Sequence, residues 1–155
     1  MSAPLPQGVR LALDWGERRI GVAACDPAGL IAFPVATVDA VDPWAALAAL
    51  VAEYRPTAVV LGHPIDLAGR AGPAARRIED LAPALAERLG VGVWLVDERL
   101  TTAEAARRLR QVGRSARQQR GIVDQAAGVA LLETVLAAER AGQPIGSDVA
   151  SGEVD

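Results

Sequence analysis

The chain has 155 residues, of which 51 % are hydrophobic, and its formal net charge is −3. A chain of this length forms one domain and buries a core without covalent staples. The single cysteine, Cys25, excludes a disulfide framework, and no apolar run is long enough to span a membrane. We therefore predict a cytoplasmic protein that has no secretory signal and no membrane contact.

The first three predicted elements are strands. An alternating pattern predicts a strand over 9–14, with Leu11 and Leu13 on one face and Asp14 on the other. Strands over 20–26 and 30–38 follow, and Pro34 inside the third favours an edge strand or a bulge. Short turns join the three into an antiparallel meander.

The pattern then changes to alternating helices and strands. Helices are predicted over 44–54, 73–89, about 101–111 and 122–141, and strands over 58–61 and 91–96. The order β-β-β-α-β-α-β-α-α predicts an α/β protein with a mixed five-stranded sheet and helices on both faces, as in ribonuclease H-like folds. We predict one domain over 9–141, a flexible tail over 1–8 and a disordered acidic tail over 142–155.

Three acidic residues are predicted to converge. Asp14 ends the first strand, Glu98 follows the fifth, and Asp124 lies at the start of the last helix. The carboxyl ends of parallel strands gather at one edge of a sheet, so these side chains can meet there. Carboxylate oxygens favour Mg²⁺ or Mn²⁺, and two such ions could clamp the reacting oxygens of a phosphodiester.

Each of these acids also has a purely structural interpretation. Asp14 could form a turn, and Asp124 could be an N-cap, although the capping-box partner is missing at Ala127. Alternation places Asp97 and Glu98 on opposite faces, and the pattern alone does not decide which of them meets Asp14. His63 and Cys25 are expected to have structural roles, His63 in a loop and Cys25 in the core.

All the basic residues are arginines, and many lie in one segment. From position 99 to 120 there are seven arginines against one acid, Glu104, so this segment is strongly positive. Guanidinium groups suit phosphate contacts, although such a run can also be an ordinary solvated face. The candidates for nucleic-acid binding are Arg99, Arg107, Arg110, Arg114, Arg117 and Arg120.

Several short motifs together resemble the YqgF/RuvX family, described as pre-16S rRNA nucleases and Holliday-junction-resolvase-like proteins. The motifs are Asp-Trp-Gly at 14–16, Arg-Ile-Gly-Val-Ala at 19–23, Val-Val-Leu-Gly at 59–62 with Pro64, Asp-Glu-Arg-Leu-Thr-Thr at 97–102 and Asp-Gln-Ala-Ala at 124–127. The resemblance spans roughly 9–141. The loop over 63–69 departs from the family's usual Leu-Pro and Asn-Met-Asp-Gly pattern.

The resemblance implies a function for the three acids. It implies a divalent-metal nuclease that matures the 5′ end of 16S rRNA, with Asp14, Glu98 and Asp124 as catalytic and metal-binding residues. It also selects Glu98 over Asp97. RNA is the favoured partner and a DNA four-way junction the alternative substrate. We expect a monomer or a homodimer.

Two other classes of protein share some of these features. A non-catalytic transcription or ribosome-assembly factor would bind nucleic acid, but carboxylates where phosphates approach argue against it. A nucleotide-binding protein of the actin and sugar-kinase type also has an Asp-x-Gly hairpin. Such proteins need two domains around the nucleotide, and this chain has room for one.

Overall fold

The computed structural model describes residues 5–66, 68–100, 116–143 and 147–148. Its strands are β1 (Arg10–Trp15), β2 (Arg19–Cys25), β3 (Ala32–Asp39), β4 (Ala58–His63), β5 (Val93–Asp97) and β6 (Ser147–Asp148). Its helices are α1 (Trp44–Tyr54), α2 (Pro73–Leu89) and α3 (Ala116–Arg140), and a 3₁₀ turn covers Glu98–Leu100. The helix expected over about 101–111 lies outside the described residues.

The strands form one sheet in the order β3-β2-β1-β4-β5-β6. The pairs β1–β2 and β2–β3 are antiparallel, whereas β1–β4 and β4–β5 are parallel. The five predicted strands and their directions are thus confirmed, and the two-residue β6 extends the sheet. Pro34 lies in the edge strand β3, beside a register shift opposite Val22 and Ala23, as its missing N–H favours.

Alternating side chains divide the core between the two faces of the sheet. Leu11, Leu13 and Leu61 pack with residues of α1 and α2 on one face. Ala12, Val60 and Val96 pack against α3 on the other face, which also buries Cys25. Burial raises the pKa of the Cys25 thiol, in keeping with its core position. Among the described residues no helix is apolar over a length that could cross a membrane.

The last helix begins earlier than the sequence pattern predicts. α3 starts at Ala116 and runs through Gly121, whereas the sequence pattern predicts a start at 122. A glycine inside a helix costs only about 1 kcal/mol, and the surrounding Ala, Arg and Gln residues are good helix formers. Arg117 and Arg120 therefore lie on this helix.

Both predicted tails need correction within the described residues. Leu5 is buried against the α3 face of the sheet, and Arg10 donates hydrogen bonds to the carbonyl oxygens of Pro6 and Gly8. Leu5 is therefore anchored in the core and two carbonyl groups that follow it are hydrogen-bonded, whereas Pro6 and Gln7 are exposed. At the other end, Ser147–Asp148 pairs with β5, since that edge offers unpaired backbone groups.

Candidate metal and nucleic-acid site

Asp14 lies near the carboxyl end of β1, on the face that α3 covers. It follows Ala12 on that face by strand alternation, and only 5 % of it is exposed. Because β1, β4 and β5 are parallel, their carboxyl ends meet at this edge of the sheet. Burying a carboxylate costs free energy, so Asp14 needs compensating contacts at this position.

Gly21 brings the backbone of α3 at Asp124 onto the strand that is paired with Asp14. Asp14 and Gly21 are directly paired across β1 and β2. A Cβ atom at Gly21 would lie 1.8 Å from the carbonyl oxygen of Asp124, so the backbone of α3 rests on the strand at this glycine. Gly128, further along α3, makes a second close approach to the Gly21 carbonyl oxygen. The missing side chains at these two positions let α3 lie close to the sheet beside Asp14.

Gly62, on β4 at the other side of β1, likewise leaves space that allows Glu98 to approach the sheet closely. The β1–β4 register pairs Leu13 with Leu61, so Asp14 and Gly62 follow at the same level of the sheet. A Cβ atom at Gly62 would lie 3.1 Å from Oε1 of Glu98, which places the Glu98 carboxylate over this glycine. Glu98 is 8 % exposed and follows Val96 on the α3 face.

Asp97 belongs to the opposite face and to a different set of contacts. It forms an ion pair with Arg99 at 2.6 Å and also accepts a hydrogen bond from the Arg99 backbone N–H at 2.8 Å. Burial raises the pKa of Asp97, but the hydrogen bonds and charge of Arg99 outweigh it and hold that pKa below its ordinary value. Of the two neighbouring acids, Glu98 is therefore the one on the Asp14 face.

Asp124 is held by a residue for which the sequence analysis proposed no role. Oδ2 of Asp124 accepts a hydrogen bond from Nε of Arg19 at 2.9 Å. Asp124 lies well inside α3, so it is not an N-cap. The next residue, Gln125, donates to the Thr37 hydroxyl at 3.0 Å and ties the helix to β3. The sequence did contain a signal for the contact between Arg19 and Asp124, because strand alternation places Arg19 on the same face as Gly21.

The donor set suits a hard divalent cation by its chemistry. Asp14, Glu98 and Asp124 offer carboxylate oxygens, and the glycines beside them leave space where a side chain would otherwise stand. In the described ranges, no three Asp, Glu, His or Cys side chains are grouped closely enough to hold a metal ion as they lie. The ion pair with Arg19 is one contact that engages Asp124 instead.

The predicted nucleic-acid-binding arginines are only partly described. Arg99 is exposed, and its charge is paired with Asp97. Arg117 and Arg120 lie in the first part of α3. Arg107, Arg110 and Arg114 fall outside the described residues.

His63 stands apart from the three carboxylates. It follows Leu61 on the α1/α2 face, and its Nε2 is 2.7 Å from Oε2 of Glu79 on α2. His63 is the last residue of β4 and not part of a loop as the sequence pattern predicts, and this contact gives it a partner on α2.

The sheet order and the strand directions are those of a ribonuclease H-like fold. Two solved structures of Thermus thermophilus RuvC share the fold. The RuvC chain in complex with a Holliday junction substrate matches with a TM-score of 0.57 and 16 % identity, covering 90 % of this chain and 99 % of that chain. A second RuvC structure matches with a TM-score of 0.55 and 16 % identity, covering 89 % and 99 %.

The chain belongs to the RuvX family, whose model is described as "Holliday junction resolvase" and matches residues 8–138. A protein of Cutibacterium acnes named "Putative pre-16S rRNA nuclease" is 50 % identical over 150 residues, covering 96 % of this chain and 92 % of the relative. A Streptomyces coelicolor protein of the same name is 47 % identical, with 92 % and 89 % covered. One from Mycobacterium leprae strain TN is 45 % identical, with 92 % and 79 % covered.

Proposed function

We propose that this protein is a metal-dependent nuclease that hydrolyses phosphodiester bonds in maturation of the 5′ end of 16S rRNA. The observation that carries the proposal is the placement of Asp14, Glu98 and Asp124 around two glycines at one edge of the sheet. Membership of the RuvX family supports the reaction class. The names of the relatives support the substrate, and action on such a substrate would place the protein in the cytoplasm.

The three carboxylates are proposed to hold Mg²⁺ or Mn²⁺. When bound, such an ion supplies positive charge that activates water and stabilises the developing charge on a phosphodiester. Asp14 and Glu98 are fixed by strand and turn backbone, which limits their motion during the reaction. Asp124 lies on α3, which Gln125 anchors through Thr37. The chain thus presents its acids from three separate rigid elements.

The arginines between 99 and 120 are proposed to hold the nucleic acid. This segment joins Glu98 to Asp124, so it is tethered at both ends to the proposed catalytic residues. Contacts to phosphates displace counterions, and binding should weaken with salt by about 0.7 log units per phosphate per decade on a single strand. Replacing Arg114, Arg117 and Arg120 with Gln should flatten the slope by roughly two units. Identical slopes for wild type and variant would make these arginines an ordinary surface.

A DNA four-way junction is the second candidate substrate. The description of the RuvX family and the RuvC complex with a Holliday junction both favour it. Cleavage assays with Mg²⁺ or Mn²⁺ on a pre-16S rRNA fragment, an unrelated single-stranded RNA and a four-way DNA junction separate the two. Preference for the pre-rRNA supports the proposal, and preference for the junction replaces the substrate.

The same assay distinguishes an enzyme from a binding protein. Asp14→Asn should abolish cleavage, because it removes one of the proposed ligands. If wild type binds these nucleic acids but cuts none of them with either metal, the chain is a non-catalytic binding factor.

A further inference from the structure

Arg19 is positioned by its backbone beside Asp124. Its carbonyl oxygen accepts a hydrogen bond from the Gly16 N–H at 2.9 Å, which closes the turn between β1 and β2. Alternation along β2 puts Arg19 on the α3 face together with Gly21. Its side chain is 35 % exposed, so one side of it faces Asp124 and another faces solvent.

The contact between Arg19 and Asp124 uses only part of the guanidinium. Nε donates to Oδ2 of Asp124 at 2.9 Å. Within the part of the chain that the structure describes, the Nη nitrogens of Arg19 make no hydrogen bond. Strong arginine–carboxylate pairs are commonly bidentate, with two parallel N–H···O bonds. This single, partly exposed contact is therefore the kind that can be exchanged at modest cost.

We propose that Arg19 is a placeholder for the divalent cation, holding Asp124 until the ion binds and then turning its guanidinium to a substrate phosphate. The proposal rests on the proposed nuclease function. Its physical reason is competition, because the Oδ2 atom that accepts from Arg19 is among the oxygens a cation would need. The positive charge of Arg19 also repels a divalent cation that approaches Asp124. Once released, the guanidinium has the shape and charge to bind phosphate bidentately.

If Arg19 instead orients Asp124 for metal binding, replacing Arg19 should change the metal affinity in the opposite direction. A residue that stays on a ligating carboxylate and orients it strengthens metal binding, and its removal weakens binding about 10–100-fold. A placeholder weakens metal binding, so its removal strengthens it. The metal affinity of the protein without nucleic acid therefore distinguishes the two roles.

Isothermal titration with Mn²⁺ provides this measurement for wild type, Arg19→Gln and Arg18→Gln. Arg18 is the matched control because it is an exposed neighbour in the same turn and makes no described ion pair. We expect Arg19→Gln to bind Mn²⁺ about tenfold more tightly, the worth of one charge-assisted hydrogen bond. Arg18→Gln should change affinity less than about twofold, by screened charge alone. Unchanged or weaker binding by Arg19→Gln would overturn the proposal.

Two further variants separate the placeholder from the metal site itself. Asp14→Asn should weaken Mn²⁺ binding; if it does not, the proposed carboxylate site fails, whatever Arg19 does. Arg19→Lys retains the positive charge and should bind Mn²⁺ less tightly than Arg19→Gln. Equal affinities for those two variants would contradict competition by charge. Circular dichroism melts verify that each variant is folded.

The proposed movement of Arg19 from Asp124 to a substrate phosphate can be tested separately, by the salt dependence of RNA binding. With Ca²⁺, Arg19→Gln should lower the salt slope on single-stranded RNA by about 0.7, because one phosphate contact is lost. In EDTA, Arg19→Gln and wild type should have equal slopes, since Asp124 then holds Arg19. An equal loss of slope in both conditions, or no loss in either, would contradict the release.

Discussion

The two faces of the sheet present different charged clusters at the same edge. On the α1/α2 face, His63 contacts Glu79 and Asp97 contacts Arg99, and the outer partner of each pair is exposed. On the α3 face, Asp14 and Glu98 are buried over or beside glycines, and Asp124 accepts from Arg19. Residues at the carboxyl ends of β4 and β5 contribute to both clusters, so the position of a residue along its strand does not tell which cluster it joins.

The difference between the clusters indicates where the chemistry lies. Exposed ion pairs contribute little to stability and are common on any surface. Buried carboxylates oppose folding unless they are compensated, and they concentrate at functional sites. The α3 face therefore carries the candidate site, and the α1/α2 face supports it from behind.

The largest expected effect is from Asp14→Asn on the α3 face. Cleavage should fall at least roughly hundredfold, as when one transition-state-stabilising group is removed. The free energy of unfolding should be unchanged or raised, because one of several neighbouring negative charges is gone. Cleavage rates with Mg²⁺ and thermal melts in EDTA measure the two effects. Glu79→Gln on the opposite face is the matched control and should leave cleavage nearly unchanged.

A marked loss of stability in Asp14→Asn would reverse the interpretation of this residue. Asp14 would then be a structural turn residue, and the contrast between the faces would lose its main support.

The two glycines of the α3 face should respond differently to alanine. At Gly21 the added Cβ meets the helix backbone at 1.8 Å, so Gly21→Ala should cost about 1–3 kcal/mol of unfolding free energy. At Gly62 the added Cβ meets the Glu98 side chain at 3.1 Å, and a side chain can move. Gly62→Ala should thus fold with nearly normal stability and lose cleavage activity. Urea unfolding and cleavage rates test the pair; equal effects on stability would contradict it.

His63→Ala examines the α1/α2 face directly. His63 contacts Glu79 and belongs to the face opposite Asp14, so the variant should retain most of the cleavage rate, within about threefold. The measurement is the rate constant under single-turnover conditions. Inactivity comparable to Asp14→Asn would bring His63 into the catalytic machinery and join the two clusters.

The smallest effect concerns Asp26, which lies away from both clusters in the turn between β2 and β3. Its carboxylate accepts hydrogen bonds from the backbone N–H groups of Ile31, Leu30 and Ala28, which lower its pKa. A lowered pKa stabilises the folded state above the ordinary aspartate pKa, and this contribution is lost as pH falls through the folded-state value. Asp26→Asn should be less stable than wild type at pH 7, and the gap should close toward pH 3. Urea unfolding at both pH values measures it; a constant gap would contradict the assignment.

The sequence by itself determined the order of the elements from β1 to β5 and the position of Asp14. Strand alternation around Leu11 and Leu13 and the helical spacing over 44–54 are local signals, because each reflects which side of one element faces the core. The bounds of α1 and α2 agree with those patterns. The acid at the end of β1 followed from the same alternation.

Tertiary structure decided which of two neighbouring acids shares the face of Asp14. Asp97 and Glu98 alternate equally well in sequence, and only the packing of Glu98 over Gly62 places it on the Asp14 face. The start of α3 at Ala116 and the partner of Arg19 were also beyond local patterns. The reason is that register between strands and the contact of a helix with a sheet join residues far apart in the chain. Local periodicity specifies the face of a residue within its own element, and only packing specifies the neighbour it meets.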